Sequence, residues 1–297
     1  FKYHWLSHNH INLIIHVGNI INIFRIQSFI CNDFSGAERK TLWETTIKFK
    51  NQKRHLKRHR SAQSSSSSHR RCRRRLYTIM ALQPTWTPHH CGVQANNLHL
   101  SNATPTQLHQ IKSQLAEHGC IYFTKTSTFT PQDHITFCNS ISTGLNINRF
   151  FPHVPNHHEI SLVQKKKDQR SAIGERFHAD HTYDLAPALG SMLVARQLPL
   201  KKNLGDTVFV DMRKAYATLP EEIKKQLVGL RAVHSSRHYF GKDQTDRGTG
   251  ESLFANQQEA TQDHVHPVVI KSPLSGKPSL FINPGFTLHF EGQTPAE

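Results

Sequence analysis

Apolar positions recur at helical spacing in two early stretches of the second part of the chain. In "TPTQLHQIKSQLAEHGC" (104–120) Leu108, Ile111 and Leu115 form one stripe. Thr104 is placed to cap the N-terminus, Pro105 suits the first helical position and Gly119 suits the stop. "TPQDHITFCNSIS" (130–142) repeats the device with Thr130, Pro131 and Asp133, and Ile135, Cys138 and Ile141 share a face. "CIYF" (120–123) between them predicts a short strand.

Further on the period changes. "GSMLVARQL" (190–198) and "DTVFVDM" (206–212) are apolar, β-branched runs and predict strands, joined by the polar loop "PLKKNLG" (199–205). "DMRKAYATL" and "PEEIKKQLVGL" (220–230) predict two short helices, the second with Ile223, Leu227 and Leu230 on one face. "HPVVIKSPLSGKPSLFIN" (266–283) predicts a hairpin turning at "SPLSGK". Helices and strands come in groups without βαβ alternation, which predicts an α+β fold with a largely antiparallel sheet or barrel.

Charge divides the chain at a different place. Residues 1–79 hold 16 Lys and Arg against 3 Asp and Glu, a balance of +13, out of +16 for all 297 residues. The remainder is only +3, so basicity gives no reason to assign a nucleic-acid footprint to whatever folds there. The basic runs "KNQKRHLKRHR" (50–60) and "HRRCRRR" (69–75) flank "SSSSS" (64–68), a composition that buries little apolar surface. Residues 1–79 are therefore expected to be a disordered basic extension. Met80 is the first methionine, so translated upstream sequence explains the segment more simply than a targeting or nucleic-acid-binding arm. Residues 80–297 are expected to form the folded domain.

"INLIIHVGNIINIF" (11–24) is interrupted by His16, Asn19 and Asn22, and is too short for a membrane helix, so no membrane partner is expected. The five cysteines form no C-x-x-C pair. That argues against a disulfide framework or zinc ribbon and for a reducing, cytoplasmic compartment. His89-His90-Cys91 has no partner pair at zinc-finger spacing.

The chemistry-bearing candidate is "ERFHADHTYD" (175–184). His178 and Asp180 are two apart, so on a strand both side chains face the same side and can reach one ion. Imidazole nitrogen plus carboxylate oxygen is two-thirds of the 2-His-1-carboxylate triad of non-haem Fe(II) oxygenases. With 23 histidines in the chain, a chance H-x-D is a serious rival, and context must decide.

The context is ordered. After the H-x-D come Pro187-x-x-Gly190, Ala195-Arg196-x-Leu198-Pro199 and Gly205-Asp206-Thr207. Asp211-Met212-Arg213-x-Ala215-Tyr216, Gly229-Leu230-Arg231-Ala232-x-His234, "HPVV" (266–269) and "NPGFT" (283–287) follow. Over about residues 95–290 this series resembles the taurine / 2,4-dichlorophenoxyacetate dioxygenase family. The resemblance implies a double-stranded β-helix, a jelly-roll-like core with helices packed outside. It implies Fe(II) as cofactor and 2-oxoglutarate and dioxygen as co-substrates. The reaction would hydroxylate a small, acidic organic substrate with release of succinate and CO2. By the same resemblance His178 and Asp180 are metal ligands and the Thr207 hydroxyl binds 2-oxoglutarate. His181 points to the opposite strand face unless the chain turns there, where it would border the substrate pocket; a satisfied core or surface histidine is the plainer reading.

The sequence also departs from the family. The Trp-Asp-Asn-Arg-x-x-x-His segment that carries the third ligand does not occur among the 119 residues after His178, nor do the arginines that follow it. His266 and His289 align with the hairpin region and not with that segment. Phe177 stands where the family usually has tryptophan, and Asn203-Leu204-Gly205 replaces a Gly-Gly pair. A barrel missing its last strands is expected, with open sheet edges. The readings are a fragment of an active dioxygenase, inactive by itself, or a non-catalytic β-helix binding module.

Overall fold

A computed structural model of the chain describes residues 83–89, 91–124, 128–166, 168–197 and 206–293, with the backbone of four strands upstream. Both helices predicted first are present, at Pro105–His118 and Pro131–Ile141. Each begins with a complete capping box, Thr104 with Gln107 and Thr130 with Asp133, which satisfies N–H groups that the helix itself leaves unpaired. Gly119 ends the first at φ +76°, a left-handed position that costs glycine little.

The apolar stripes of these helices cover the large sheet. Ile111, Leu115, Phe137, Cys138 and Ile141 join Ile121, Phe123, Ile160, Met192 and Val194 in one core. Each side chain of this kind, fully buried, contributes about 1.5–3 kcal/mol. His134 lies wholly inside this layer, and burial, seconded by the Arg196 charge, pushes its pKa down to about 3. It is therefore a neutral packing residue at pH 7.

The large sheet runs in the order Thr85–Pro88, Val93–Asn96, Cys120–Phe123, Leu13–Val17, Gly190–Ala195, Thr41–Phe49, His157–Lys165, His153–Val154. Asp206–Asp211 lies between His4–Leu6 and Ile20–Arg25 in a second sheet. Asp263–Pro267, Arg231–Ser235 and Thr287–Phe290 form a third, and Val269–Lys271 pairs with Pro278–Leu280 as the predicted hairpin. All these pairings are antiparallel except that of Val93–Ala95 with Ile121–Phe123. The α+β, mainly antiparallel expectation agrees with this arrangement.

Within residues 1–79 four strands lie in apolar and β-branched runs such as "LIIHV", "IINIFR" and "TLWETTIKF". Average composition over 79 residues, dominated by the basic and serine runs, hides these local β-formers. The runs at 50–60 and 64–75, and the loop 199–205, lie outside the described residues. Gly190–Ala195 and Asp206–Asp211 each have an upstream strand on both sides. The helix Glu221–Gln226 is not packed as its stripe predicts: Ile223 is 38% and Leu230 36% exposed. Among the described residues, no helix is long and apolar enough to cross a membrane.

A polar knot fixes the segment that leads to the H-x-D. Asp246 accepts N–H bonds from Arg170 (2.8 Å) and Ser171 (2.6 Å) on one oxygen, and from Gly248 (2.9 Å) and Thr249 (2.8 Å) on the other. Burial opposes ionisation of this carboxyl, but the four donors outweigh it and hold its pKa well below the carboxylate range. A carboxyl with a depressed folded pKa stabilises the fold above its unfolded value of about 4, and loses that contribution as pH falls. Asp246→Asn keeps the size but offers only one accepting oxygen. It should lower the melting temperature at pH 7 by about 5 °C. The gap from the unmodified protein should narrow steadily below about pH 4. Thermal melts from pH 7 to pH 2 measure both, and a gap independent of pH would show that the carboxylate charge contributes nothing.

Candidate functional site

His178 and Asp180 meet, though not by the expected route. The pair lies outside any extended strand, where the chain enters a turn, yet His178 Nε2 stands 3.6 Å from Asp180 Oδ1. Ala179 between them is buried in a separate cluster with Met212 and Ala215. The small apolar spacer thus faces the core while its polar neighbours turn towards each other.

The imidazole is oriented by its other nitrogen. His178 Nδ1–H donates to the Arg176 carbonyl at 2.8 Å, which fixes the ring and turns Nε2 towards Asp180. The ring is 5% exposed as a residue and is walled by Tyr239 (centroids 5.5 Å apart) and Phe286 (6.0 Å, edge-on). Phe150, Tyr183, Phe240 and Phe254 extend this wall into a buried aromatic cluster. Burial pushes the Tyr239 hydroxyl well above its ordinary range, and Tyr183 likewise, where the charges of Asp184 and Asp180 add to the effect. Both phenols stay protonated at neutral pH. On the carboxylate side, Ser191 Oγ donates to Asp180 Oδ2 at 3.4 Å from the strand Gly190–Ala195.

The "NPGFT" loop closes over the pair. Gly285 N–H donates to the Phe177 carbonyl at 3.0 Å. A Cβ on Gly285 would lie 2.6 Å from the His178 Cβ, closer than two such carbons can stand, so only glycine lets the loop approach here. Asn283 accepts the Phe286 N–H at 2.9 Å and donates to Thr182 Oγ1 at 3.3 Å, joining the loop to the turn after the H-x-D.

His181 takes φ +60°, so the chain does turn there. Its ring goes inward, 4% exposed, with Nδ1 bonded to the Asp184 carboxylate and the ring stacked on Tyr183 at 5.3 Å. Thr207 is fully buried on Asp206–Asp211, a strand separate from the pair. His264, His266 and His289 lie on the three-stranded sheet with Arg231–Ser235.

Sequence reasoning missed Ser191, Tyr239, Asn283 and Gly285 as parts of this site. Ser191 and Gly285 stood inside motifs already noted, but nothing in the spacing says which residue of a motif touches which. The donor set suits a divalent metal in kind, an imidazole oriented through Nδ1 and a carboxylate met by a hydroxyl. Among the described residues, no group of three or more His, Cys, Asp or Glu is placed to hold an ion, so the set amounts to two donors.

Comparison with known proteins followed. The family model described as "Taurine catabolism dioxygenase TauD, TfdA family" matches residues 80–297. The alpha-ketoglutarate-dependent dioxygenase cnsM of Penicillium expansum is 26% identical over 217 residues, covering 68% of this chain and 58% of that protein. The alpha-ketoglutarate-dependent 2,4-dichlorophenoxyacetate dioxygenase of Burkholderia sp. (strain RASC) is 28% identical over 221 residues, covering 69% and 71%. The crystal structure of a taurine dioxygenase from Burkholderia xenovorans aligns with a TM-score of 0.49 at 19% identity, over 72% of this chain and 68% of that one. The chain spans 51–71% of the length of the first three curated relatives it matches. With residues 80–297 matched, well over half of its length, the chain belongs to the taurine catabolism dioxygenase TauD, TfdA family.

Proposed function

We propose that the gene product carrying these residues is an Fe(II)- and 2-oxoglutarate-dependent dioxygenase. It would hydroxylate a small, acidic organic substrate and release succinate and CO2. The observation that carries this reading is the geometry of the pair: His178 Nε2 stands 3.6 Å from Asp180 Oδ1 in a nearly buried recess walled by Tyr239 and Phe286. His178 and Asp180 would be two of the three protein ligands. Fe(II), when bound, supplies open coordination positions for the co-substrates.

The chain's own residues do the positioning. Arg176, through its carbonyl, holds the Nδ1 side of the imidazole and so turns Nε2 towards Asp180. Ser191 holds one carboxylate oxygen so that the other stays towards His178. The Phe286, Tyr239 and Phe240 wall limits water around the pair. Thr207 would donate its hydroxyl to a carboxylate of 2-oxoglutarate, and the core sheets would form the double-stranded β-helix of the family. His181 would act as part of the site's floor and not as a contact to substrate. The protein would work in a reducing, intracellular compartment with a small molecule and dioxygen as its partners. Residues 80–297 would be the catalytic domain and 1–79 a basic extension to it.

The test is succinate release from 2-oxoglutarate by the gene product with Fe(II) and ascorbate. His178→Ala should reduce it to background; undiminished turnover would sink the assignment and favour a non-catalytic binding module. Gly285→Ala forces His178 to shift and should lower turnover about a hundredfold with little change in fold content by circular dichroism. Thr207→Val deletes one hydrogen bond of about 1.5 kcal/mol and should raise the 2-oxoglutarate KM about tenfold at nearly constant kcat. An unchanged KM removes Thr207 from the co-substrate site.

A further inference from the structure

The turn that follows Asp180 is held at every residue. His181 Nδ1 bonds the Asp184 carboxylate, and the Asp184 N–H returns to the His181 carbonyl at 3.0 Å. Thr182 Oγ1 accepts from Asn283, and Tyr183 packs against Phe286 at 4.9 Å. The last tether comes from a residue that the sequence left without a role. His266 Nε2 lies 2.9 Å from the Asp184 carbonyl, 82 residues away along the chain.

His266 is itself firmly placed. It sits on Asp263–Pro267, opposite Ala232 of Arg231–Ser235. Its ring stands edge-on to His234 at 5.6 Å and to Phe281 at 5.6 Å. His234 is fully buried, and burial, with His266 next to it, lowers its pKa to about 4. At neutral pH the two rings therefore pack without mutual repulsion. A carbonyl only accepts, so the Nε2 proton belongs to His266 and is committed to Asp184.

We propose that His266 is a positioning residue for the metal-binding pair: its bond to the Asp184 carbonyl pins the turn 181–184 to the three-stranded sheet and so sets the place of the Asp180 carboxylate against His178. The proposal rests on the metal-site reading given above. Asp180 opens the pinned turn, so a loosened turn moves its backbone first. Outer partners that orient a ligand in this way typically contribute about 10–100-fold in metal affinity.

The experiment uses the full chain and Co(II) alone as probe, followed by its visible absorption. The 23 histidines bind Co(II) nonspecifically, so the site is defined as the component lost in His178→Ala. His266→Leu keeps the packing volume and removes the donor. It should weaken that component about tenfold and speed amide exchange in residues 180–185, with the rest of the exchange map unchanged. His266→Gln, whose amide N–H can still reach the carbonyl, should restore most of both. Should His266→Leu fail to fold, His266→Gln against His266→Asn makes the same comparison, because the shorter amide falls short of Asp184. Unchanged exchange in the variant lacking the donor overturns the tether, and faster exchange with unchanged Co(II) affinity overturns the positioning role. An unmodified chain with no component sensitive to His178 overturns the metal-site reading instead, while the exchange data still decide the tether.

Discussion

The site depends on one close backbone approach. The Gly285 N–H reaches the Phe177 carbonyl, and that bond requires the loop 283–287 to lie flat against the His178 side chain. From it follow the Phe286 edge against the imidazole and the Asn283 bridge to Thr182. Two segments about a hundred residues apart in sequence are thereby held as one unit. A backbone bond and an absent Cβ do this more rigidly than two surface side chains could, because neither has rotamers to lose.

Around that contact the two halves of the pair are treated differently. His178 is bounded by rings, which exclude water and leave its orientation to one carbonyl, that of Arg176. Asp180 remains partly open, its side chain 21% exposed, and is met by a hydroxyl from the core strand. An imidazole held by a carbonyl tolerates an apolar wall at less cost than a carboxylate shut away without partners. The asymmetry also leaves an approach to the pair from the carboxylate side.

Much of this was legible in the residues, for identifiable reasons. Helix ends at Thr104, Gly119 and Thr130 are local chemistry, complete within four residues, and the structure reproduces them. The H-x-D spacing brings its side chains together because Ala179 has somewhere apolar to go, though on a turn and not on a strand. What could not be read was long-range: that Ser191 meets Asp180, or that His266 reaches Asp184. The upstream segment is hard to read for a related reason. Its strands are short runs inside a basic background, and their pairing with Gly190–Ala195 and Asp206–Asp211 is a property of the sheet, not of the segment. Ile223 and Leu230 show the opposite error, since a regular stripe says nothing of whether a partner surface is present.

The histidine count, which made a chance H-x-D plausible, loses its force once each ring near the site is followed to its partners. His153 Nε2 meets the Asn148 carbonyl, His264 Nδ1 the carbonyl of Asp263 and His289 Nδ1 that of Phe290. His266 meets the carbonyl of Asp184, and buried His134 and His234 are held neutral by burial. Such rings use imidazole as a flat, weakly polar filler that can satisfy one carbonyl. His178 makes the same carbonyl bond and is no more hydrophobic than its neighbours. Its second nitrogen faces a carboxylate at 3.6 Å, in a turn that the rest of the fold has tied down. What a histidine can do near this site is thus set by what each of its two nitrogens faces, and not by how many histidines the chain carries.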